Sequence, residues 1–140
     1  MRWSLSFIGT LLLALFTGAC ASSSTAPEQT REVWQYNGSQ RIPNVLQLDG
    51  VLVVTRRNGD KFEGSLDVRR TDALGQAERV VGLVAGRRGD GTLEVEATLD
   101  GVVIRHVGRV AGDSVSGTWL DDGSFGGSLV SGSFRLVRKP

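Results

Sequence analysis

From Asn44 to the C-terminus, apolar and polar residues alternate with a period of two, and short glycine-containing pairs interrupt the alternation. This alternation is typical of half-buried β-strands, and a pair such as Asp-Gly or Asn-Gly between two alternating runs favours a two-residue hairpin turn. No sustained run shows the period of about 3.6 residues that marks an amphipathic helix. The sequence therefore predicts an all-β chain built from consecutive hairpins.

The turn pairs also predict which residues face each other, because a two-residue turn fixes the pairing register of its two strands. Asp100-Gly101 pairs Val95 with His106, and Gly112-Asp113 then pairs His106 with Trp119. The same apolar face continues through all the predicted turns, whereas an error at any one of them would place charged residues inside. The predicted turns are Asp49-Gly50, Asn58-Gly59, Gly89-Asp90, Asp100-Gly101 and Gly112-Asp113.

The pattern predicts eight strands, at about residues 44–48, 51–57, 60–70, 78–87, 91–99, 102–111, 114–120 and 132–138. Closure of such a sheet removes the two edges that would otherwise pair with other chains. We therefore predict an eight-stranded antiparallel up-and-down meander that closes into a small β-barrel, with an open sheet or a sandwich as the alternative. Charged residues at outward positions, such as Glu94 and Arg105, argue against a barrel that faces lipid.

The predicted inner face is apolar except for Thr55 and His106, and it carries no carboxylate, Lys, Arg or Cys. General acid–base catalysis needs titratable groups within reach of the substrate, and covalent catalysis needs a nucleophile with a base. The chain has one Cys and one His, which excludes a multi-Cys or multi-His metal site. The sequence therefore predicts no enzyme active site, no cofactor and no metal site.

Inward-facing glycines predict a small cavity beside Trp119, because Gly108 and Gly117 face each other next to His106 and Trp119. The interior of an eight-stranded barrel is either filled by side chains or holds one small ligand, so a filled core remains the alternative. His106 would bind one end of a ligand in the first case and would be a neutral core residue in the second. The candidate cavity residues are His106, Trp119, Val95, Gly108, Gly117 and Thr55.

The N-terminus has the parts of a secretory signal: Arg2, a short apolar run from Leu5 to Phe16, and small residues before the chain's only Cys. The segment Thr17-Gly18-Ala19-Cys20 resembles the lipobox of bacterial lipoproteins. This resemblance implies that residues 1–19 are removed and that Cys20 is acylated and anchors the chain in a membrane. An ordinary signal peptide with an incidental Cys is the alternative.

Ala21 follows the Cys, where an Asp would retain a lipoprotein at the inner membrane. The lipobox resemblance therefore implies the periplasmic face of the outer membrane of a Gram-negative bacterium. We expect residues 20–43 to hold the acylated Cys, a flexible tether and an N-terminal segment, and residues 44–140 to form the barrel domain. Without residues 1–19 the chain loses one of its sixteen basic residues and has a formal charge of zero against its fifteen acidic residues, which gives no support for nucleic-acid binding.

Basic residues cluster at the predicted barrel end that carries the turns at 58–59, 89–90 and 112–113 and the start of the first strand. We predict that this end faces anionic lipid headgroups, with an ordinary solvated basic surface as the alternative. The opposite end carries the two long connections, at about 71–77 and 121–127, and is the predicted mouth. The candidate membrane-facing residues are Arg56, Arg57, Arg87, Arg88, Arg109, Arg138 and Lys139.

The segments 115–119 (VSGTW) and 131–136 (SGSFRL) resemble the hairpin endings of small bacterial β-barrel or lipocalin-like lipoproteins. The resemblance implies a non-enzymatic barrel that binds a small apolar ligand. The Gly-x-Trp motif of lipocalins is absent near Trp34, so no binding residues are carried over. The alternative is a structural or interaction module that contacts an envelope protein or polymer through outward apolar residues, predicted as Leu52, Val54, Val103 and Val107.

Overall fold

The computed structural model describes residues 26–42, 44–121 and 130–140. The predicted signal peptide and Cys20 lie outside the described residues. Within them the chain forms strands only, and these follow one another as β1 (Glu28–Ile42), β2 (Leu46–Asn58), β3 (Lys61–Asp72), β4 (Ala77–Gly89), β5 (Thr92–Leu99), β6 (Val102–Ala111), β7 (Ser114–Asp121) and β8 (Ser131–Arg138). Each strand pairs antiparallel with the next, and β1 also pairs with β8. The predicted all-β, eight-stranded closed meander is confirmed.

The two ends of the barrel differ in how the strands are joined. The tight-turn end carries the turns after β2, β4 and β6, together with the start of β1 and the end of β8. The open end carries the other four connections, which include residues 73–76. At Asp90-Gly91 and Asp100-Gly101 both residues have positive φ, which is the backbone of type I′ turns. Every strand pairing lies within residues 28–138, so this segment contains a complete closed ladder.

The first strand is the main correction to the sequence analysis. β1 covers residues that were expected to form a tether and an N-terminal segment, so the predicted barrel start at residue 44 is too late. The predicted turn Asp49-Gly50 lies inside β2, where Asp49 pairs with Asn37 and Gly50 pairs with Tyr36. A Cβ built on Gly50 would collide with the backbone of Asp67 on β3. Gly50 is therefore required for close strand packing and not for a turn.

A β-bulge in β2 reverses the predicted faces of that strand. Val54 pairs with Gly64 and Arg56 pairs with Glu63, so Thr55 is the extra residue between them. Thr55 is exposed, and its predicted place on the inner face is wrong. Leu52 and Val54, predicted to point outward, are buried in the core. One inserted residue exchanges the two faces because side chains alternate along a strand.

Two further predicted turns are displaced by one residue without a change of face. The turns are at Gly59-Asp60 and Asp90-Gly91, not at 58–59 and 89–90, so Val84 pairs with Ala97. The β5–β6 and β6–β7 registers agree with the prediction at every quoted pair, including that of Val95 with His106 and that of His106 with Trp119.

Large aromatic side chains and glycines fit together across the interior. A Cβ built on Gly132 would lie 2.5 Å from Nε1 of Trp119, and one built on Gly108 would lie 3.0 Å from the ring of Phe134. The ring of Phe62 covers Gly86 in the same way. Glycine thus provides the room that an aromatic ring needs inside a barrel of this diameter.

Replacement of one such glycine is expected to destabilise the barrel. Gly132→Ala places a methyl group against Trp119 and against the backbone oxygen of Ser39, so we expect a loss of about 1–3 kcal/mol of unfolding free energy. Gly89→Ala is the control, since a Cβ there has nothing within 4 Å and its effect should stay within about 0.5 kcal/mol. Urea denaturation of residues 26–140, followed by tryptophan fluorescence, measures both. Equal effects of the two variants would contradict this packing.

Candidate ligand-binding cavity

Three aromatic side chains form a layer across the middle of the barrel. The rings of Tyr36 and Phe134 are parallel with centroids 6.2 Å apart, and the ring of His106 meets both of them edge-on at centroid distances of 5.7 and 5.1 Å. These residues come from β1, β8 and β6, and all three are buried. The layer divides the interior into a half toward the tight-turn end and a half toward the open end.

The half toward the tight-turn end is filled. Trp34 and Phe62 occupy it together with aliphatic residues, and two voids between its described residues and the aromatic layer measure about 10 Å³ each. The guanidinium groups of Arg57 and Arg88 lie over the rings of Phe62 and Trp34, at 5.7 and 5.6 Å from the ring centroids. Such voids are at the lower limit for a single water molecule, so neither of them can hold a ligand.

The half toward the open end contains a cavity of about 390 Å³. This volume lies in the range of small-molecule binding sites. The cavity begins at the aromatic layer and lies at the end that the sequence predicted as the mouth. The described residues of its lining are mostly aliphatic, and they are Tyr36, Gln40, Leu46, Leu48, Leu66, Val68, Arg70, Leu99, Asp100, Val102, Ile104, His106, Trp119, Asp121 and Val130.

Two buried nitrogen atoms of the lining have no hydrogen-bond partner in the protein, namely Nδ1 of His106 and Nε1 of Trp119. The other ring nitrogen of His106, Nε2, lies 3.2 Å from the hydroxyl oxygen of Tyr36. Buried polar atoms in folded proteins are almost always paired with protein, water or ligand. Both nitrogens have almost no accessible surface, so they are packed inside the wall and do not face the cavity.

Burial controls the ionisation of His106 and Tyr36, which form the floor of the cavity at the aromatic layer. Burial lowers the pKa of His106 to about 4, and interactions with the backbone of Ile104 and Val95 oppose this shift. Burial likewise raises the pKa of the Tyr36 hydroxyl well above its ordinary value of 10. Both groups are therefore neutral at physiological pH, and the cavity floor carries no charge.

Charged groups lie nearer the rim. Arg70 on β3 and Asp121 at the end of β7 both line the cavity, and a guanidinium nitrogen of Arg70 lies 4.0 Å from a carboxylate oxygen of Glu78. Asp121 is buried, so the predicted absence of carboxylates and arginines from the inner face is wrong at the open end. Both residues lie near the end of a strand. Sequence alternation alone does not predict whether a residue there lines the cavity or faces solvent.

The predicted cavity residues divide into three groups. His106 and Trp119 line the cavity, whereas Val95 contacts only a small void at the aromatic layer. Phe134 takes up the space beside Gly108, whereas a Cβ on Gly117 would collide with the backbone of Val107. Thr55 lies outside. The other described lining residues are missing from the predicted set. The most important of them is Tyr36, which contacts His106 and lies on a strand that the sequence analysis places before the barrel.

The seven residues of the predicted basic end all lie near the tight-turn end of the barrel. Arg57 also pairs with Glu32, whose pKa is lowered chiefly by its hydrogen bond to Arg57. Arg57 and Arg88 are half-buried and cover the closed half of the core, so they belong to the barrel interior. Ion pairs join Arg56 to Glu63, Arg87 to Glu94 and Arg138 to Glu32, and Arg109 and Lys139 are exposed.

The barrel is similar to the solved structure of EF1p2_mFAP2b bound to DFHBI. The two chains are 12% identical, the match covers 76% of this chain and 91% of that chain, and the TM-score is 0.60. At this identity the likeness shows a common fold. No known protein family and no curated protein matches the sequence. Among the described residues there is no helix of the length and hydrophobicity that a membrane span requires.

The burial of His106 predicts a pH-dependent stability. Its pKa falls from 6.5 to about 4 on folding, so the unfolded chain binds more protons between these two values. The contribution is complete above about pH 6.5 and is lost as the pH falls toward 4. We expect the unfolding free energy to decrease by about 2 kcal/mol from pH 7 to pH 5.

His106→Leu should remove this dependence, because His106 is the chain's only His. The lowered pKa of Glu32 acts below its ordinary value of 4.5 and outside this interval. Urea denaturation at both pH values, for the wild type and for His106→Leu, makes the comparison. If the variant keeps the full decrease, the proton is taken up elsewhere.

Proposed function

We propose that this protein is a non-enzymatic binding protein that holds a small apolar ligand in the open half of its barrel. The observation that carries the proposal is the cavity of about 390 Å³, whose described lining is mostly aliphatic. The similar barrel of EF1p2_mFAP2b is bound to DFHBI, which supports the use of this fold for a small ligand.

The chemistry of the cavity favours binding over catalysis. A general acid–base pair works best with pKa values near the operating pH. Burial moves the pKa values of His106 and Tyr36 away from neutrality, downward for the imidazole and upward for the phenol. The pair therefore supports a role in positioning a ligand and gives little capacity for proton transfer.

We also propose that the barrel is a lipoprotein held at the periplasmic face of the outer membrane by acyl chains on Cys20. The support is the lipobox-like segment and the start of β1 at the tight-turn end, the same end that carries the exposed Arg109 and Lys139. An anchor on this side turns the mouth of the cavity away from the membrane. Incorporation of labelled palmitate into the wild type, and its loss in Cys20→Ser, tests the anchor.

A variant that fills the cavity is expected to abolish binding. Ile104 lines the cavity on β6, and Ile104→Trp adds a large ring inside it. Val107, on the outer face of the same strand, is 53% exposed, so Val107→Trp is the matched control. Titration of residues 26–140 with a neutral fluorescent apolar dye should show at least a tenfold weaker affinity for Ile104→Trp and little change for Val107→Trp. An equal loss in both variants would place the dye elsewhere.

The basic end is expected to attract acidic membranes. Each Lys or Arg close to the surface contributes about 1 kcal/mol, so replacement of Arg56, Arg87, Arg109 and Lys139 by Ser should reduce the binding of residues 26–140 to acidic vesicles at least tenfold. The control replaces the same number of arginines elsewhere on the barrel, at Arg69, Arg79, Arg105 and Arg135, which are exposed. Vesicle flotation measures both sets. Equal effects would show that only net charge matters.

A further inference from the structure

The polar residues of the described cavity lining are concentrated at the mouth. Gln40, Arg70, Asp100 and Asp121 lie within two residues of the open-end termini of β1, β3, β5 and β7. Because these are alternate strands of a closed ladder of eight, the four residues are distributed around the whole mouth. Between this rim and the aromatic layer the described lining is aliphatic. The cavity therefore has an apolar interior and a polar entrance.

The inner end of the cavity has little to offer a polar group. The hydroxyl of Tyr36 lies 3.2 Å from Nε2 of His106, and the remaining nitrogens, Nδ1 of His106 and Nε1 of Trp119, have almost no accessible surface. A charged head group at this floor would lose its hydration without meeting a partner, which is costly. A molecule with one apolar and one charged end is therefore favoured with its apolar end at the floor.

Arg70 is placed to meet the charged end of such a molecule. It follows Leu66 and Val68 at the two-residue spacing of one strand face, and both of these are buried in the core. The side chain of Arg70 is 29% exposed, whereas that of the adjacent Arg69, on the outer face, is 61% exposed. A guanidinium nitrogen of Arg70 lies 4.0 Å from a carboxylate oxygen of Glu78, which is too far for a hydrogen bond. This contact leaves the guanidinium able to donate to a ligand.

The acidic residues of the mouth lie on other walls. Asp121 is on β7, four strands from β3 in a ring of eight, and so on the opposite side of the barrel from Arg70. Asp100 belongs to the exposed turn between β5 and β6. An anionic head group is attracted to the β3 side of the mouth and repelled from these two positions. The distribution of charge therefore gives an anion one preferred place in the rim.

We infer that the cavity takes a single-chain amphiphile tail first, with its apolar chain against the aromatic layer and an anionic head group, a carboxylate or a phosphate monoester, at Arg70 in the mouth. A guanidinium binds either head group through paired hydrogen bonds. The inference rests on the proposed function, because it names the class of ligand for that same cavity. It separates such amphiphiles from ligands without a head group and from amphiphiles that enter head first.

Two isomers of one brominated fatty acid test the direction of entry. The heavy atom lies at the tail of ω-bromododecanoate and beside the carboxylate of α-bromododecanoate, and bromine quenches tryptophan fluorescence only at short range. Trp119 lines the cavity and pairs with His106 of the aromatic layer. Residues 26–140 with Trp34→Phe keep Trp119 as their only Trp. The wild-type segment, with Trp34 as a constant background, is measured in parallel.

At saturation we expect stronger quenching of Trp119 by the ω-bromo isomer than by the α-bromo isomer. Equal quenching, or stronger quenching by the α-bromo isomer, would overturn tail-first entry when both isomers are bound. Displacement of the neutral apolar dye shows whether each isomer occupies the cavity.

Two adjacent arginines provide a matched test of the head-group contact. Arg70→Gln removes a positive charge at the mouth, and Arg69→Gln removes one from the outer face. The affinities of dodecanoate, dodecyl phosphate and dodecylammonium are measured by dye displacement on residues 26–140. We expect Arg70→Gln to weaken the anions about threefold to tenfold, the effect of one hydrogen bond to a charge that is partly solvated. Dodecylammonium should not be weakened, and Arg69→Gln should change each affinity less than twofold.

The outcomes separate the inference from the proposed function. A loss confined to one of the two anions supports the inference and identifies carboxylate or phosphate as the head group. Equal losses in the two variants, or an equal loss for dodecylammonium, would overturn the contact with Arg70. If the dye binds and neither anion displaces it, the inference fails and the proposed function stands. If neither the dye nor any amphiphile binds, both fail.

Discussion

The pairing of β1 with both β2 and β8 is the interaction on which the barrel and its cavity depend. Without β1, two strands would be left as open edges, with unpaired backbone groups and no closed interior. The same strand carries Trp34 into the closed half and Tyr36 into the aromatic layer. The same strand therefore closes the barrel and supplies part of the aromatic layer at the inner end of the cavity. A change that weakens β1 is expected to affect stability and binding together.

The volume of the interior is divided by the placement of aromatic side chains. An eight-stranded barrel is just wide enough for side chains to fill it, and several large rings lie where a glycine gives them room, as with Phe62 over Gly86. The rings of Trp34 and Phe62 lie in the half of the interior between the aromatic layer and the tight-turn end. In the half between this layer and the open end, the described lining residues are mainly aliphatic, and a cavity of about 390 Å³ remains.

Sequence pattern predicted the fold class, and it predicted the β5–β7 registers because Asp100-Gly101 and Gly112-Asp113 occur where the structure has turns. The strand number agrees because two errors cancel: β1 was not among the predicted strands, and β2 was predicted as two strands. The pattern failed at the N-terminal side for a local reason. Asp49-Gly50 is an equally good turn pair in isolation, but Gly50 is needed for close contact with β3. The bulge at Thr55 leaves no mark on the alternation, since it arises from pairing between strands. The cavity wall at His106 and Trp119 was thus predictable, and its partner Tyr36 was not.

Burial gives His106 a role that its residue type alone does not suggest. An exposed imidazole changes charge near neutral pH, whereas this one has a pKa of about 4 and stays neutral. A neutral imidazole is an ambiguous group, because either nitrogen can carry its proton. The hydroxyl of Tyr36 lies 3.2 Å from one of these nitrogens, Nε2. The aromatic layer therefore closes off the filled half of the core, and burial keeps the two polar side chains of that layer uncharged.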